Sequence, residues 1–168
     1  MKKLMNGAQM KMIDTYSIQE VGIPSLVLME RAALCVTEAV LEKIKKTDKV
    51  LCVCGSGNNG ADGMAVARQL TERGISAEVY TTAEEGKGTE ELNRQCAILQ
   101  KLGIVFVNDI PAGEYNCIID AVFGIGLSRT ITGRYEQIIA KINAAKDTGS
   151  LIVAVDTPSG INAGDGQV

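Results

Sequence analysis

The chain contains no histidine. That absence excludes Ser-His catalytic triads, histidine-ligated metals and imidazole acid–base chemistry. Any proton transfer falls to Asp, Glu, Lys, Tyr or Cys. Basic surface is also lacking: the net charge of −3 argues against nonspecific nucleic-acid binding, and no nucleic-acid partner is expected. No apolar run approaches the length of a membrane span, and the amino terminus lacks the hydrophobic core of a signal peptide. Five cysteines form an odd set, and Cys52 with Cys54 lacks the second pair that a zinc site needs. Four of the five fall in or beside apolar segments and read as reduced core residues of a cytoplasmic protein. No internal repeat, low-complexity tract or linker divides the chain. With 46% apolar and 22% charged residues, residues 1–168 read as one soluble domain with a substantial core.

What is present alternates. Apolar spacing predicts one or two short helices over 4–22. Gly22-Ile23-Pro24 breaks the pattern, Ser25 is the expected cap, and a helix follows over 25–46. Its Glu30 and Arg31 read as solvated or locally paired charges. Strands are predicted at 50–54, 76–82, 104–107, 116–122 and 151–156, with helices at 61–73, 89–102 and 133–147 between them. Strand–helix alternation implies parallel β-α-β units with right-handed crossovers, and nearly continuous apolar strands imply a sheet covered on both faces. The expected fold class is therefore α/β, a three-layer α/β/α Rossmann-like sandwich with a mostly parallel sheet and two amino-terminal helices.

The stretch that organises the chain is Gly55-Ser56-Gly57-Asn58-Asn59-Gly60-Ala61-Asp62-Gly63, a glycine turn between strand and helix. Gly55 and Gly57 are expected to allow positive φ and a close ligand approach. The unpaired amides of the new helix suit phosphate. Gly55-x-Gly57-x-x-Gly60 satisfies the dinucleotide fingerprint, but Asn58, Asn59 and Asp62 point to a hard cation or a polar reactant. Taken alone, those three are equally good turn and cap residues. Two further polar loops leave strand ends, from Asp120 to Arg129 and from Asp156 to Gly160. With strand order 3-2-1-4-5 all three loops converge on one crevice at the carboxyl edge. Three carboxylates gathered there need a cation, a bound proton or many hydrogen bonds. A dehydrogenase fits less well, because the second strand ends Val79-Tyr80-Thr81-Thr82 with Glu84 and Glu85 only beyond it.

Asn58-Asn59-Gly60-Ala61-Asp62-Gly63, Asp120-Ala121-Val122-Phe123-Gly124-Ile125-Gly126 and Val155-Asp156-Thr157-Pro158-Ser159-Gly160 resemble the NAD(P)HX epimerase domain, also called the YjeF N-terminal domain. Gly22-Ile23-Pro24-Ser25 followed by Leu28-Met29-Glu30-Arg31-Ala32 is similar too, so the resemblance is collinear along the chain. Ala61 departs from a second glycine usual in the family and requires a helical or extended backbone there. The family domain continues past the Pro-Ser-Gly loop, so residues 1–168 are expected to be a domain cut short at its carboxyl end.

The resemblance implies repair of hydrated nicotinamide cofactors: interconversion of the R and S epimers of NADHX and NADPHX. An ADP- or ATP-dependent dehydratase, fused or separate, uses the S form, and a homodimer is expected. By motif, Asn58, Asn59, Gly60, Ala61 and Asp62 contact substrate. Gly124, Ile125, Gly126, Leu127, Ser128, Arg129 and Thr130 wrap its phosphates, and Asp156 touches the nicotinamide-derived end. One potassium ion (K+) per subunit is held by Asn59, Asp120 and Ser159. Epimerisation at carbon 6 needs a group that protonates the departing oxygen and deprotonates the incoming water. Asp156, ending a buried strand, is the expected acid–base residue, and Asp62 is its rival. The alternative is a noncatalytic nucleotide- or RNA-related scaffold module of the same fold.

Overall fold

The computed structural model describes residues 5–127, 130–164 and 166–167. Two helices open the chain, α1 (Gly7–Gln19) and α2 (Ser25–Leu41). They are followed by β1 (Lys49–Cys54), α3 (Asn58–Glu72), β2 (Ser76–Thr81), α4 (Glu90–Lys101), β3 (Phe106–Val107), β4 (Cys117–Ala121), α5 (Arg134–Asp147) and β5 (Leu151–Ala154). The sheet order is β3-β2-β1-β4-β5, and every pairing is parallel. This is the expected three-layer α/β/α Rossmann-like sandwich, with β1 and β4 as adjacent central strands.

Side-chain alternation along β1 explains its unbroken apolar run. Val50, Cys52 and Cys54 face one core with Met29, Ala33, Met64, Leu70 and Leu99 of α2, α3 and α4. Leu51 and Val53 face the other, with Ile118, Ile138 and Ile142. Both faces are dry, so a strand with a polar face would not sit here. Cys52, Cys54 and Cys117 are buried and free, and burial pushes their thiols upward, which keeps them unreactive.

Several boundaries differ from those the sequence predicts. Ser25 does not cap α2: Pro24 is the cap residue, and the Ser25 hydroxyl donates to Glu91 Oε1 at 2.8 Å. α2 stops at Leu41, because the amide of Lys45 turns to the Asp48 carboxylate instead of extending the helix. β3 shrinks to two residues on the sheet edge, although Val105 still accepts from the Val79 amide. β5 ends at Ala154, so Asp156 lies in the following loop. α3 begins at Asn58, three residues early, with an extended Gly57 as its cap. Ala61 is therefore helical, as its methyl requires, and is wholly buried.

The glycines of the β1–α3 turn serve approach rather than positive φ, since none of Gly55, Gly57, Gly60 and Gly63 has it. A Cβ on Gly60 would lie 2.0 Å from the Gly55 carbonyl oxygen, and one on Gly55 would lie 2.0 Å from that of Val122. Gly57 has open space around it. Gly60→Ala is accordingly expected to cost at least about 2 kcal/mol in urea unfolding, whereas Gly57→Ala stays within about 0.5 kcal/mol. Equal effects would mean that contact does not fix α3.

Candidate functional site

Register places the site. Asp120 pairs with Val53 on one side and Ala154 on the other, so the chain emerges from β1, β4 and β5 at one level. Beyond that level lies a cleft of about 850 Å³. Its walls come from 56–59 and Asp62, from 122–127, from Val155 and Asp156, and from Met10, Asp14 and Ala32.

The helix start at Asn58 decides what the first wall offers. Ala61 is the first residue of the turn whose amide finds a carbonyl, that of Gly57, at 3.2 Å. The amides before it have no intrahelical acceptor and lie at the positive end of the helix dipole. Asn58 and Asp62, four residues apart, share one helix face. Asn59 carries a buried amide whose Oδ1 and Nδ2 have no partner among the described residues. An unpartnered buried amide is costly and marks a place where a ligand atom belongs.

The second and third walls are tied together by two aspartates. Asp120 is buried beneath the cleft and takes the Ser159 amide at 2.7 Å, the Ser159 hydroxyl at 2.6 Å and the Val122 amide at 3.3 Å. Burial raises its carboxyl pKa and these hydrogen bonds oppose the rise, leaving it above the ordinary value. The Ser159 hydroxyl in turn accepts from the Phe123 amide at 2.9 Å. Asp156 accepts the Ile125 amide at 2.8 Å. Between them, a Cβ on Gly124 would stand 2.6 Å from Asp156 Oδ2 and 3.3 Å from Asn59 Cγ. Asn59, Gly124 and Asp156 thus meet at one point.

The carboxylates are compensated in three different ways. Asp120 has hydrogen bonds and Asp156 has a backbone amide, while Asp62 is pushed toward its protonated form. Burial, then the charges of Asp156 and Asp14, push the Asp62 carboxyl up to about 7. The residue expected to be desolvated, Asp156, is exposed instead, because β5 is a half-buried edge strand of the described sheet. The acid–base argument built on its burial applies to Asp62.

Of the expected substrate contacts, Asn58, Asn59, Asp62, Gly124, Ile125, Gly126, Leu127 and Asp156 line the cleft. Gly60 and Ala61 do not: they pack into the core behind it. Thr130 is exposed and away from the wall, and Ser128 and Arg129 lie outside the described residues. Met10, Asp14 and Ala32 were not among the expected site residues. The sequence signal for Asp14 was its spacing of four from Met10, hidden when α1 is read for apolar positions alone.

A carboxyl raised from 3.8 to about 7 makes stability fall with pH. Below pH 4 Asp62 is protonated in both states and imposes no cost. Between pH 4 and 7 the unfolded chain ionises first and gains, so folding loses stability as pH rises through the folded pKa. Asp62→Asn removes that loss. It is expected to be more stable than the wild type by about 2–4 kcal/mol at pH 8, and equal at pH 3.5, in urea titrations. Parallel curves for the two proteins across this range would contradict a buried, protonated Asp62.

A family model described as YjeF-related protein N-terminus matches residues 25–168. A curated relative from Limosilactobacillus fermentum, named NAD(P)H-hydrate epimerase, is 40% identical over 99% of this chain and 79% of its own length. Another of that name from Oenococcus oeni is 41% identical over 92% of this chain and 73% of its own. The solved structure of the yeast protein ynu0 superposes with a TM-score of 0.87, covering 99% of this chain and 75% of that one, at 23% identity. That likeness supports the fold. The match over most of the chain, together with relatives at this identity, makes the protein a member of the YjeF-related N-terminal family.

Proposed function

We propose that the chain is an NAD(P)HX epimerase, an isomerase that interconverts the R and S forms of hydrated NADH and NADPH. The observation that carries this reading is the meeting of Asn58, Asn59, Asp62, Gly124 and Asp156 on the walls of one cleft, with the Asn59 amide buried and unpartnered among the described residues. The names of the relatives agree with it. A dehydrogenase lacks support: β2 ends at Thr81, with no acidic residue placed for a ribose, and Glu84 is spent on an exposed pair with Lys87.

The chemistry asks little beyond positioned charge. The free amides at the start of α3 and the 124–127 loop receive the phosphates. Asp62, protonated near neutrality, gives its proton to the hydroxyl leaving carbon 6. The ring nitrogen's lone pair stabilises the resulting cation, and Asp156, held by the Ile125 amide, supplies negative charge nearby. Water returning to the opposite face loses a proton to solvent, and solvent reprotonates Asp62 for the next cycle. The bonding pair that departs with water is restored when water readds, so the oxidation level is unchanged and no redox partner is consumed.

The residues present also fit one potassium ion per subunit. Asn59 Oδ1 is buried and unpartnered, Asp120 and Ser159 are buried oxygens, and residues 123–124 touch both sets. Asn59, Asp120 and Ser159 would hold the ion, which would supply a fixed positive charge beside the Asp120 carboxylate. Partnership with a dehydratase that consumes the S epimer, and assembly as a homodimer, complete the proposal. Among the described residues no helix is long and apolar enough to cross a membrane.

The deciding assay incubates purified protein with separated R-NADHX and follows the S form by chromatography. Interconversion is expected, and Asp62→Asn should lower kcat about 100-fold with KM little changed. Absence of interconversion by the wild type would return the reading to a binding module. A near-normal rate in Asp62→Asn would pass the acid–base role to Asp156. Separately, potassium should raise the melting temperature by about 2–5 °C over a bulky organic cation at equal ionic strength, and Asp120→Ala should abolish the difference. Identical melting curves for the wild type would remove the ion from the site.

A further inference from the structure

One wall of the cleft is supplied by a helix with no other evident employment. α1 buries none of its residues, so no core holds it. It meets the site along one stripe. A Cβ on Gly7 would stand 3.4 Å from that of Ile125, whose amide binds Asp156, and Met10 and Asp14 line the cleft. Residues three and four apart lie on one helix face, so Gly7, Met10 and Asp14 form a single row. Meanwhile Met12, Ile13 and Tyr16 are 71%, 41% and 62% exposed. A surface helix ordinarily turns its apolar stripe inward and its charges to water. α1 instead leaves Met12, Ile13 and Tyr16 in water and sets Asp14, itself exposed, beside Met10 along the rim of the cleft.

Resting on the epimerase reading, we propose that Asp14 is a positioning residue of this site: it completes, with Asp62 and Asp156, a set of three carboxylates facing the ring end of the substrate, and acts through Asp62. The groups that face Asp62 are few. α1 presents Asp14, the loop after β5 presents Asp156, and β1 presents the buried Cys54 thiol. α2 adds only Ala32 to the wall, and 122–127 adds no charged side chain. Burial is the largest influence on Asp62, and both facing carboxylates reinforce it. Among the described residues no cationic side chain lines the cleft. Three acids share it with no described base beside them, a setting that favours a ring turning cationic as its hydroxyl departs. The balance of the step is simple. The Asp62 proton goes to the hydroxyl oxygen, the carbon–oxygen bond breaks, water leaves, and readdition of water releases one proton to solvent, which reprotonates Asp62. Asp14 raises the fraction of enzyme that begins this cycle protonated.

The test has one arm that needs no turnover. Carbon-13 carboxyl NMR follows the titration of Asp62 in the 168-residue chain as wild type, Asp14→Asn, Asp14→Glu and Lys11→Gln, the last an α1 control away from the cleft. Asp14→Asn should lower the Asp62 midpoint by about half a unit, Asp14→Glu should restore it, and Lys11→Gln should leave it unmoved. The second arm is the pH profile of R-NADHX conversion. Asp14→Asn should move the basic limb down by the same half unit, lowering kcat about threefold at pH 8 and leaving it near wild type at pH 6, with KM little changed. An unmoved Asp62 midpoint overturns the proposal. So does an equal loss of kcat at every pH, which is what a merely structural helix would give. If the wild type shows no turnover while the midpoint still falls in Asp14→Asn, the coupling stands and the epimerase reading is the part that fails.

Discussion

The close approach of α3 to the strand ends is the constraint on which the site rests. Backbone meets backbone where Gly60 lies against the Gly55 carbonyl and Gly55 against that of Val122, and Gly63 lies against Ala121. No side chain fits between them. The consequence is a helix whose first turn is pressed into the gap between β1 and β4, so that its free amides, Asn59 and Asp62 are delivered to the same level as Asp120. A single methyl at Gly60 would push all of these outward together, and the buried Asn59 amide would lose its place beside Gly124.

On the far side α3 is held by charge. Arg68 of α3 pairs with Glu30 of α2 and with Glu72, while Gln69 and Gln95 also donate to Glu30. Burial pushes the Glu30 carboxyl up, but the Arg68, Gln69 and Gln95 hydrogen bonds outweigh it and hold the group below its ordinary range. Three helices therefore share one carboxylate. Glycine contact on one flank and this network on the other leave α3 little freedom to slide, which suits a helix whose amino terminus must meet a ligand.

The fold was legible because its signals are local. Apolar strands, glycine breaks and helix-forming runs each sit within a few residues, and alternation of elements limits the topology to a few choices. The convergence of Asn58, Asn59, Asp62, Asp120, Asp156 and Ser159 followed from strand order, and these residues do gather. What could not be read was burial at the edges. Asp156 sits in the loop beyond β5, whereas Asp120 lies within the central strand β4, so only Asp120 is dry. Glu30 next to Arg31 looked like a local pair because the Arg68 partner is 38 residues away. Asp14 escaped notice for the same reason. Its importance comes from the cleft it faces, and nothing in its own helix records that.

The tie between Asp120 and the Ser159 loop spans 39 residues, and that between Lys49 and Asn116 spans 67. Parallel β1–β4 and β4–β5 pairing can form only after the intervening helices have been made, and contacts of such separation form slowly. On the ribosome, the β1–α3–β2 unit emerges before β4 and β5. Asp62 meets its opposite wall only when Asp156 and Ser159 have been synthesised and β5 has docked. Binding competence thus comes after the β1–α3–β2 unit has formed, and a nascent chain that ends before Asp156 has no complete pocket in which to hold a nucleotide.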